Sequence, residues 1–362
     1  MKRILLLIVM LCLSQLFIML SAWGLYEYGR GFFPQLHAGY FLVTCFVLAD
    51  GFLLALFKLP RHWRFKLLIS FMVAIFYGSL FTLLGATLAT MFSWLTDKAT
   101  AESAVRFFIP VFMLVLVAYG LWSAYCPKIV RYSIKLQKPM PQAVHIAFLS
   151  DTHFGYLIGH RHIKWLQKAI QAESPDLILH GGDFMADTSR VYERRHMAKA
   201  LRQVQAPLGK YAILGNHDVY QGQQTLFQKD IEAAGFVCLR DETINIQGEM
   251  LLTGRKDLAE TRLAAKDCIK HALLPVVVLD HQPEGAKAIA QQGADLILAG
   301  HTHNGQLFPG TALLPLFQKY TYGHYFIKGS QLIVSAGLGL WGLPFRIGTR
   351  AELVIIELSG SL

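Results

Sequence analysis

The chain of 362 residues is long enough for a membrane part and a soluble domain with its own core, and its composition excludes an ordinary soluble protein. Apolar residues make up 54% and charged residues 16%, against about 45–50% and about 25% in typical soluble domains. The net charge of +10 is local, because the first 140 residues carry 13 Lys or Arg against 4 Asp or Glu, whereas the rest carry 21 against 20. This distribution favours a basic part at a membrane and argues against a nucleic-acid partner.

Four long apolar segments occupy the first third of the chain. They cover residues 4–26, 36–57, 67–96 and 107–127, and each is long enough to cross a hydrocarbon core of about 30 Å. A basic start before an apolar run also fits a signal peptide, but a run of this length that includes Trp23 gives a poor cleavage context. We therefore predict an all-α bundle of four transmembrane helices at residues 1–127.

The short flanking segments indicate the orientation of these helices. Basic residues crowd the start of the chain and the segments after the second and fourth helices, namely Lys2, Arg3, Lys58, Arg61, Arg64, Lys66, Lys128, Arg131, Lys135 and Lys138. By the positive-inside rule both termini face the cytoplasm. We therefore predict a multi-pass protein of the inner membrane with its soluble domain on the cytoplasmic side, with export of that domain to the outer face as the alternative.

Asp50 interrupts the second apolar segment. An ionisable side chain in mid-membrane is costly and is a functional candidate by default. The alternative is that Asp50 pairs with a polar side chain on a neighbouring helix, such as Ser70, Ser79 or Thr82. We favour this pairing, because one acid among four spans gives little support for a transporter.

A linker and a soluble domain follow. Residues 128–142 mix Lys, Arg, Ser and Gln without strong periodicity, which predicts a basic linker along the membrane surface. Residues 143–362 alternate short apolar runs with helix-like stretches, the pattern of a mainly parallel sheet with helical crossovers. A hairpin is predicted at residues 243–253, and strand-like runs at 332–335 and 353–358 suggest a second sheet packed against the first.

Acids and histidines follow five apolar runs that have the length and β-branched content of buried strands. The motifs after these runs are Asp151-Thr152-His153, Gly182-Asp183, Gly215-Asn216-His217-Asp218, His281 and Gly300-His301-Thr302-His303. Because functional groups gather beyond the carboxyl ends of parallel strands, the five motifs are expected to meet at one edge of the sheet. Carboxylate, imidazole and amide ligands suit divalent Mn, Fe or Zn.

Such a site predicts the hydrolysis of a phosphate ester. Two divalent ions about 3.5–4 Å apart bind the substrate oxygens and ease the loss of a proton from a water that bridges them. The motifs that begin at Gly215 and Gly300 are fairly specific, since Gly300 permits the turn that lets two imidazoles at i, i+2 face one cavity. The other motifs are weak alone, so the prediction depends on the order of all five.

The ordered motifs resemble those of the calcineurin-like metallophosphoesterases over residues 143–358. The stretch 300–306, with Gly337-Leu338-Gly339 and 342–346, is similar to a membrane-associated bacterial branch that includes pyrophosphatases acting on UDP-diacylglucosamine in lipid A synthesis. The resemblance implies that residues 143–362 form an α/β domain, a four-layer αββα sandwich. It also implies seven metal ligands: Asp151, His153 and His303 for one metal, Asp183 for both, and Asn216, His281 and His301 for the second.

Further roles are carried over from the same motifs. His217 would donate a proton or hydrogen bond to the leaving or transition-state oxygen, and Asp218 would orient it. Arg346 is a candidate for binding a substrate phosphate, with an ordinary salt bridge as the alternative. Asp187 departs from the usual spacing after the bridging acid, and a surface or helix-capping role suits it equally well.

We therefore predict a membrane-anchored hydrolase with two divalent metals that cleaves a phosphodiester or pyrophosphate bond in a phosphorylated small molecule. The substrate is either lipid-linked, such as UDP-diacylglucosamine, or soluble, in which case the membrane part is a tether. A transporter or sensor with a regulatory hydrolase domain is a third interpretation, and Asp50 is its only support.

Overall fold

The structure is a computed structural model that describes residues 2–56, 58, 61–186, 189–220, 222–269 and 272–361, with the backbone alone for 2–11, 61–66 and 69. The chain forms two compact units, Met1–Ala118 and Tyr119–Leu362. The boundary between them therefore falls inside the last predicted apolar segment, a few residues before the predicted boundary at residue 127.

Four helices make up most of the first unit, and the last of them extends into the second. They are α1 (Lys2–Gly29), α2 (Ala38–Leu56), α3 (Arg61–Phe92) and α4 (Lys98–Tyr125). Among the described residues, three stretches are long and apolar enough to cross a membrane: Ala38–Leu56, Ser70–Phe92 and Lys98–Tyr125. Four spans were predicted, so the structure supports three of them, and the remaining one corresponds to α1.

Small polar residues join α1 to α3. The hydroxyl of Ser21 donates to the carbonyl oxygen of Ile75 at 2.7 Å, and the hydroxyl of Ser79 donates to the carbonyl oxygen of Phe17 at 2.8 Å. Such side chains let two helices approach closely and bind across an apolar interface.

Asp50 of α2 also has a polar partner. Its carboxylate accepts a hydrogen bond from Nε2 of Gln15 in α1 at 3.0 Å. Polar pairing was the favoured interpretation of Asp50, but the partner is Gln15 rather than Ser70, Ser79 or Thr82.

The second unit contains twelve described strands and eight described helices besides the end of α4. The strands are β1 (Lys128–Pro139), β2 (Val144–Leu149), β3 (Leu177–His180), β4 (Lys210–Ala212), β5 (Val237–Cys238), β6 (Glu242–Ile246), β7 (Met250–Gly254), β8 (Val276–Leu279), β9 (Leu296–Ala299), β10 (Gly323–Ile327), β11 (Ser330–Val334) and β12 (Glu352–Ser361). The helices are α5 (His160–Glu173), α6 (Ser189–Arg194), α7 (Met197–Leu201), α8 (Asn216–Tyr220), α9 (Gln224–Ala233), α10 (Ala265–Cys268), α11 (Ala286–Ala290) and α12 (Gly310–Leu313).

The strands form two six-stranded mixed sheets, in the orders β1-β12-β2-β3-β4-β5 and β10-β11-β9-β8-β7-β6. The predicted hairpin is confirmed, since β6 and β7 pair antiparallel. The expectation that all five motif-bearing strands share one sheet is wrong: β2, β3 and β4 lie in the first sheet, and β8 and β9 lie in the second. All five are short apolar runs, and such runs do not reveal which sheet a strand joins.

Three apolar cores explain why these strands are continuous apolar runs in the sequence. Along β2, Ile146 and Phe148 face the core between the sheets, whereas Ala147 and Leu149 face the core beneath α5 and its neighbours. Along β9, Leu296 and Leu298 face the core between the sheets, and their neighbours face a third core that α11 covers. Both faces of the central strands β2 and β9 are therefore buried, and the order of layers is helices, sheet, sheet, helices.

The segment predicted as a linker, residues 128–142, is instead part of the first sheet. Its strand β1 pairs in parallel with β12, from Lys128 opposite Glu352 to Lys135 opposite Ser359. Ile134 and Leu136 are buried, whereas Ser133 and Lys135 point outward. The segment does alternate with period two from Val130 to Gln137, and its basic and polar residues, which suggested a linker, form the exposed face of an edge strand.

Candidate metal centre

The seven residues predicted to bind metal come together where strands of both sheets end. They follow five strands: Asp151 and His153 follow β2, Asp183 follows β3, Asn216 follows β4, His281 follows β8, and His301 and His303 follow β9. Three of these strands belong to the first sheet and two to the second. The centre therefore lies across the carboxyl ends of strands from both sheets.

Asp151, His153 and His303 form one cluster of donor atoms. All three side chains are buried, and one donor atom of each lies within 4.8 Å of the other two. Nε2 of His303 lies 3.6 Å from Oδ1 of Asp151 and 3.1 Å from Nε2 of His153. The backbone N–H of His301 donates to both oxygens of Asp151 at 3.1 and 3.0 Å, which fixes the carboxylate.

Asp183 lies between this cluster and a second one. Its Oδ2 is 3.7 Å from Nε2 of His153 and 3.4 Å from Nε2 of His281. Oδ1 of Asn216 is 3.1 Å from the same nitrogen of His281 and 2.8 Å from Nδ1 of His301. The other ring nitrogen of His281 donates to the carbonyl oxygen of Gly181 at 2.8 Å, so Nε2 faces the cluster.

These separations fit metal ions. Ligand atoms at about 2.0–2.2 Å from one divalent ion lie about 3.0–3.5 Å from their nearest neighbours in tetrahedral or octahedral geometry. The separations between donor atoms of 3.1 to 3.7 Å fall within this range or next to it. Imidazole nitrogens with carboxylate and amide oxygens also suit Mn, Fe or Zn. The donor set therefore fits two divalent cations.

Burial keeps most of the imidazoles neutral. It lowers the pKa of His153 to about 3 and that of His301 to about 4, and it holds the pKa of His303 well below its ordinary value. Burial also lowers the pKa of His281, but the attraction of Asp183 outweighs it and raises that pKa well above the ordinary value. A cation would replace the proton on His281, and the neutral rings keep lone pairs for binding.

The acids of the centre need positive charge. Burial raises the pKa of Asp151 to about 6 and, with repulsion from Asp183, that of Asp218 to about 7. Burial likewise opposes the ionisation of Asp183, but the attraction of His281 and His153 holds the pKa of Asp183 well below its ordinary value. Closely spaced buried carboxylates are stabilised in their ionised form by cations.

The backbone at the ligands is strained. Five ligands have φ between 45° and 70°, in the left-handed region: Asp151, His153, Asp183, His301 and His303. This region costs a non-glycine residue about 1–3 kcal/mol and persists only where the surroundings enforce it. Backbone hydrogen bonds of 2.9 and 3.1 Å between the loops after β2 and β3 contribute to that enforcement.

Gly215 and Gly300 make room for ligands. A Cβ atom on Gly215 would lie 2.2 Å from Oδ1 of Asp183, and one on Gly300 would lie 2.2 Å from Oδ2 of Asp151. Neither glycine has a positive φ. The prediction that Gly300 permits the turn is therefore wrong in its reason: His301 takes the left-handed conformation, and Gly300 admits the carboxylate.

His217 lies beside the first cluster and is half-buried. The centre of its ring is 5.3 Å from that of His153 and 6.3 Å from that of Trp341. Its backbone N–H donates to Oδ1 of Asp183 at 2.8 Å. The backbone of His217 is thus hydrogen-bonded to the carboxylate between the two clusters, and part of the residue is exposed to solvent.

Comparisons with known proteins agree with this geometry. A family model described as calcineurin-like phosphoesterase matches residues 144–305. An uncharacterized metallophosphoesterase of Aquifex aeolicus is 30% identical over 263 residues, which cover 69% of this chain and 99% of that protein. The chain is a calcineurin-like metallophosphoesterase. It is accordingly a hydrolase of phosphoric esters.

Other metallophosphoesterase relatives share the domain. A protein of Danio rerio named transmembrane protein with metallophosphoesterase domain is 30% identical over 288 residues, covering 72% of this chain and 65% of that protein. An uncharacterized metallophosphoesterase of Helicobacter pylori strain J99 is 28% identical over 263 residues, covering 68% of this chain and 69% of that protein. Together with the three apolar helices, the name of the Danio rerio protein supports membrane association of this phosphoesterase.

Asp218 of the phosphoesterase joins two loops. Its carboxylate is fully buried and accepts hydrogen bonds from the backbone N–H groups of Phe184 and Gly215 at 3.0 Å and of Met185 at 3.2 Å. Asp218 was expected to orient the ring of His217. It instead holds the loop that carries Asp183 against the loop that carries His217.

Arg346 is completely buried behind His303. Its Nη2 donates to the carbonyl oxygens of Ala336, Gly337 and Gly339 at 2.7 to 3.0 Å and lies 3.3 Å from Nδ1 of His303. Burial lowers its pKa to about 10. A phosphate-binding role and an ordinary salt bridge were the two expectations, and the contacts in the described structure instead make Arg346 an anchor for residues 336–339.

Two further residues position the loop after β2. His180 accepts a hydrogen bond at Nδ1 from the N–H of Gly182 at 3.2 Å and donates from Nε2 to the hydroxyl of Thr152 at 2.9 Å. The hydroxyl of Thr152 in turn donates to the carbonyl oxygen of Phe184 at 3.0 Å. Burial lowers the pKa of His180 to about 3, so its ring is neutral. Sequence reasoning gave Thr152 no role, although it stands between two candidate ligands. Asp187 lies outside the described residues.

Proposed function

We propose that this metallophosphoesterase hydrolyses a phosphodiester or pyrophosphate bond with two divalent cations. Asp151, His153 and His303 would hold one cation, and Asn216, His281 and His301 would hold the other. The main support is the position of Asp183, whose Oδ2 lies 3.7 Å from His153 and 3.4 Å from His281 and so can serve both. The bound pair would neutralise the phosphoryl oxygens and supply the nucleophile at neutral pH.

His217 is proposed as the proton donor or transition-state stabiliser. Its ring lies at the edge of the first cluster, beside His153, and is half-buried rather than enclosed. An imidazole at this position can reach a leaving oxygen and can exchange its proton with solvent between turnovers. The hydrogen bond from its backbone N–H to Oδ1 of Asp183 ties the backbone that carries the ring to the carboxylate between the two clusters.

The substrate is proposed to be lipid-linked, for example UDP-diacylglucosamine, and the domain is proposed to lie on the cytoplasmic side of the inner membrane. The support is the presence of three candidate membrane spans in the same chain and the basic residues that flank them. A tethered enzyme with a soluble substrate is the second candidate. The third interpretation, a transporter, loses its only support because Asp50 is paired with Gln15.

The test is hydrolysis by the purified full chain of UDP-diacylglucosamine and of a soluble aryl phosphodiester, with added Mn and with a chelator. We expect metal-dependent cleavage of both, with Asp183→Asn and His217→Ala inactive but folded. Undiminished activity of both variants would overturn the assigned centre. Cleavage of the aryl ester alone would favour the tethered enzyme with a soluble substrate.

A further inference from the structure

An exposed apolar loop follows the metal centre. The loop covers residues 307–317, beginning four residues after His303, and includes α12. Its exposed side chains include Phe308 at 44%, Leu313 at 46%, Leu316 at 74% and Phe317 at 85%. Single exposed apolar residues are normal, but four within ten residues mark a binding surface.

Backbone hydrogen bonds connect this apolar loop to α4. The N–H of Phe308 donates to the carbonyl oxygen of Ile347 at 2.9 Å, and the N–H of Ile347 donates to that of Gln306 at 3.0 Å. The N–H of Arg346 in turn donates to the carbonyl oxygen of Gly120 in α4 at 3.1 Å. The loop is therefore held one short segment away from the carboxyl end of a helix.

That helix is a candidate membrane span with an interfacial end. At 1.5 Å per residue, the 28 residues of α4 extend about 42 Å, beyond a hydrocarbon core of about 30 Å. Tyr119 and Trp122, on either side of Gly120, are 44% and 47% exposed. The guanidinium of Arg350 lies 4.0 Å from the ring centre of Trp122. Aromatic and basic residues at the end of a span are typical of the headgroup layer, which predicts that Gly120 and its contacts lie near that layer.

We propose that the apolar loop, residues 307–317, inserts into the lipid boundary next to the end of α4. The occupant of this surface is the bilayer itself, because the loop contacts the segment that binds α4 where the helix leaves the membrane. Lys319, two residues after Phe317, is exposed and suits an anionic headgroup. This insertion requires that α4 crosses the membrane and does not depend on hydrolysis.

The insertion would place the metal centre at the level of phosphate-bearing headgroups. Gln306, the residue before the loop, exchanges two hydrogen bonds with the backbone of Trp341, both at 2.8 Å. Trp341 is the residue whose ring lies 6.3 Å from that of His217. The loop that enters the lipid is thus joined through Trp341 to the edge of the centre where a leaving oxygen would lie.

The direct test places a fluorescent label on the loop. The Phe317→Cys variant of the full chain is prepared with Cys12, Cys45 and Cys126 replaced by Ala, and the introduced cysteine is labelled with an environment-sensitive dye. The labelled protein is reconstituted in nanodiscs whose lipids carry a spin-label quencher on the acyl chain. The control is Leu273→Cys, because Leu273 is 93% exposed and precedes β8 at the opposite end of the sheet from the centre.

We expect the lipid quencher to reduce the fluorescence at position 317 and not at 273. Equal quenching at both positions, or none at either, would overturn the proposal. A label at 317 that is shielded from aqueous iodide but not quenched by the lipid would show that a second copy or another protein covers the loop, which would also overturn it.

A functional test uses the double variant Leu316→Asp with Phe317→Asp, and Leu273→Asp as the matched control. Charged residues are costly in the acyl boundary, so we expect cleavage of a substrate presented in a bilayer to fall about tenfold or more. Cleavage of the soluble aryl phosphodiester should stay at the wild-type rate. An equal loss of activity on both substrates would refute the role of the loop in the cleavage of membrane-bound substrate. The quenching experiment tests insertion of the loop even if neither substrate is cleaved.

Discussion

Replacing Gly215 by Ala tests whether the closeness of the loops after β3 and β4 sets the metal geometry. The added Cβ would lie 2.2 Å from Oδ1 of Asp183 and 2.4 Å from its backbone nitrogen. Ordinary carbon contacts begin near 3.5 Å, so Asp183 must move by about 1 Å. Rotation of the side chain cannot relieve the overlap, because one of the two atoms belongs to the backbone.

A displacement of about 1 Å at a reacting centre can lower the rate about 100-fold. The overpacking should also lower the free energy of unfolding by about 1–3 kcal/mol. Both effects are measurable on the purified chain, as the rate on an aryl phosphodiester at saturating Mn and as the midpoint of thermal unfolding. Bound metal per chain, determined by elemental analysis, should decrease, because Asp183 serves both clusters.

The matched control is Gly51→Ala in α2, where an added Cβ meets nothing within 4 Å. It should keep the wild-type rate and midpoint. If Gly215→Ala also kept full activity and two bound metals, Asp183 could not be the shared ligand at this position, and the assignment of the centre would be wrong.

Three further predictions concern other parts of the chain. Thr152→Val leaves Nε2 of His180 without its buried partner and removes one of the two hydrogen bonds to the carbonyl oxygen of Phe184, so the free energy of unfolding should fall by about 1–3 kcal/mol. Thr152→Ser should remain close to wild type in the same unfolding assay. Asp50→Asn keeps an acceptor for Gln15 and should leave hydrolysis and cellular function unchanged; a loss of either, with normal folding, would restore a functional role for Asp50. Burial lowers the pKa of Lys210 from 10.5 to about 8, so between these pH values the unfolded state binds more protons than the folded state. In unfolding titrations, the wild type should therefore gain stability relative to Lys210→Met as the pH rises from about 8 to 10.5. A difference in stability that does not change with pH would contradict the lowered pKa.

The clustering of the candidate metal ligands could be anticipated because the chemistry and the strand ends coincide in the sequence. A motif such as Gly215-Asn216-His217-Asp218 places an apolar run, a small residue and several donors side by side, and few structural roles need that combination. The order of five such motifs along the chain carried more information than any one of them.

The assignment of strands to sheets could not be anticipated in the same way. The runs that end before Asp183 and His281 are both short, apolar and buried on both faces, so nothing local distinguishes the sheet that each joins. The strand at Lys128–Pro139 was missed for another reason: its residues alternate between half-buried or buried and exposed positions, but the basic and polar residues of the exposed face were interpreted as a linker. Its partner, β12, lies at the other end of the chain.

The roles of several polar residues also required the structure. Asp218 is adjacent to His217 in the sequence, yet its carboxylate turns to the backbone of Phe184 and Met185. Arg346 has the chemistry of a phosphate ligand, yet it is fully buried. In both cases the structure shows contacts that the residue type alone did not suggest.

The pairing of β1 with β12 has a consequence for biosynthesis. β12 lies between β1 and β2, so until residues 352–361 have been made β1 lacks its partner strand and β2 can pair only with β3. For most of translation, the nascent domain therefore exposes two open strand edges while its helical segment is already available for membrane insertion. A premature stop shortly before Glu352 would leave the metal ligands encoded but the first sheet interrupted, and such a product should be a target for quality-control proteases rather than a partly active enzyme.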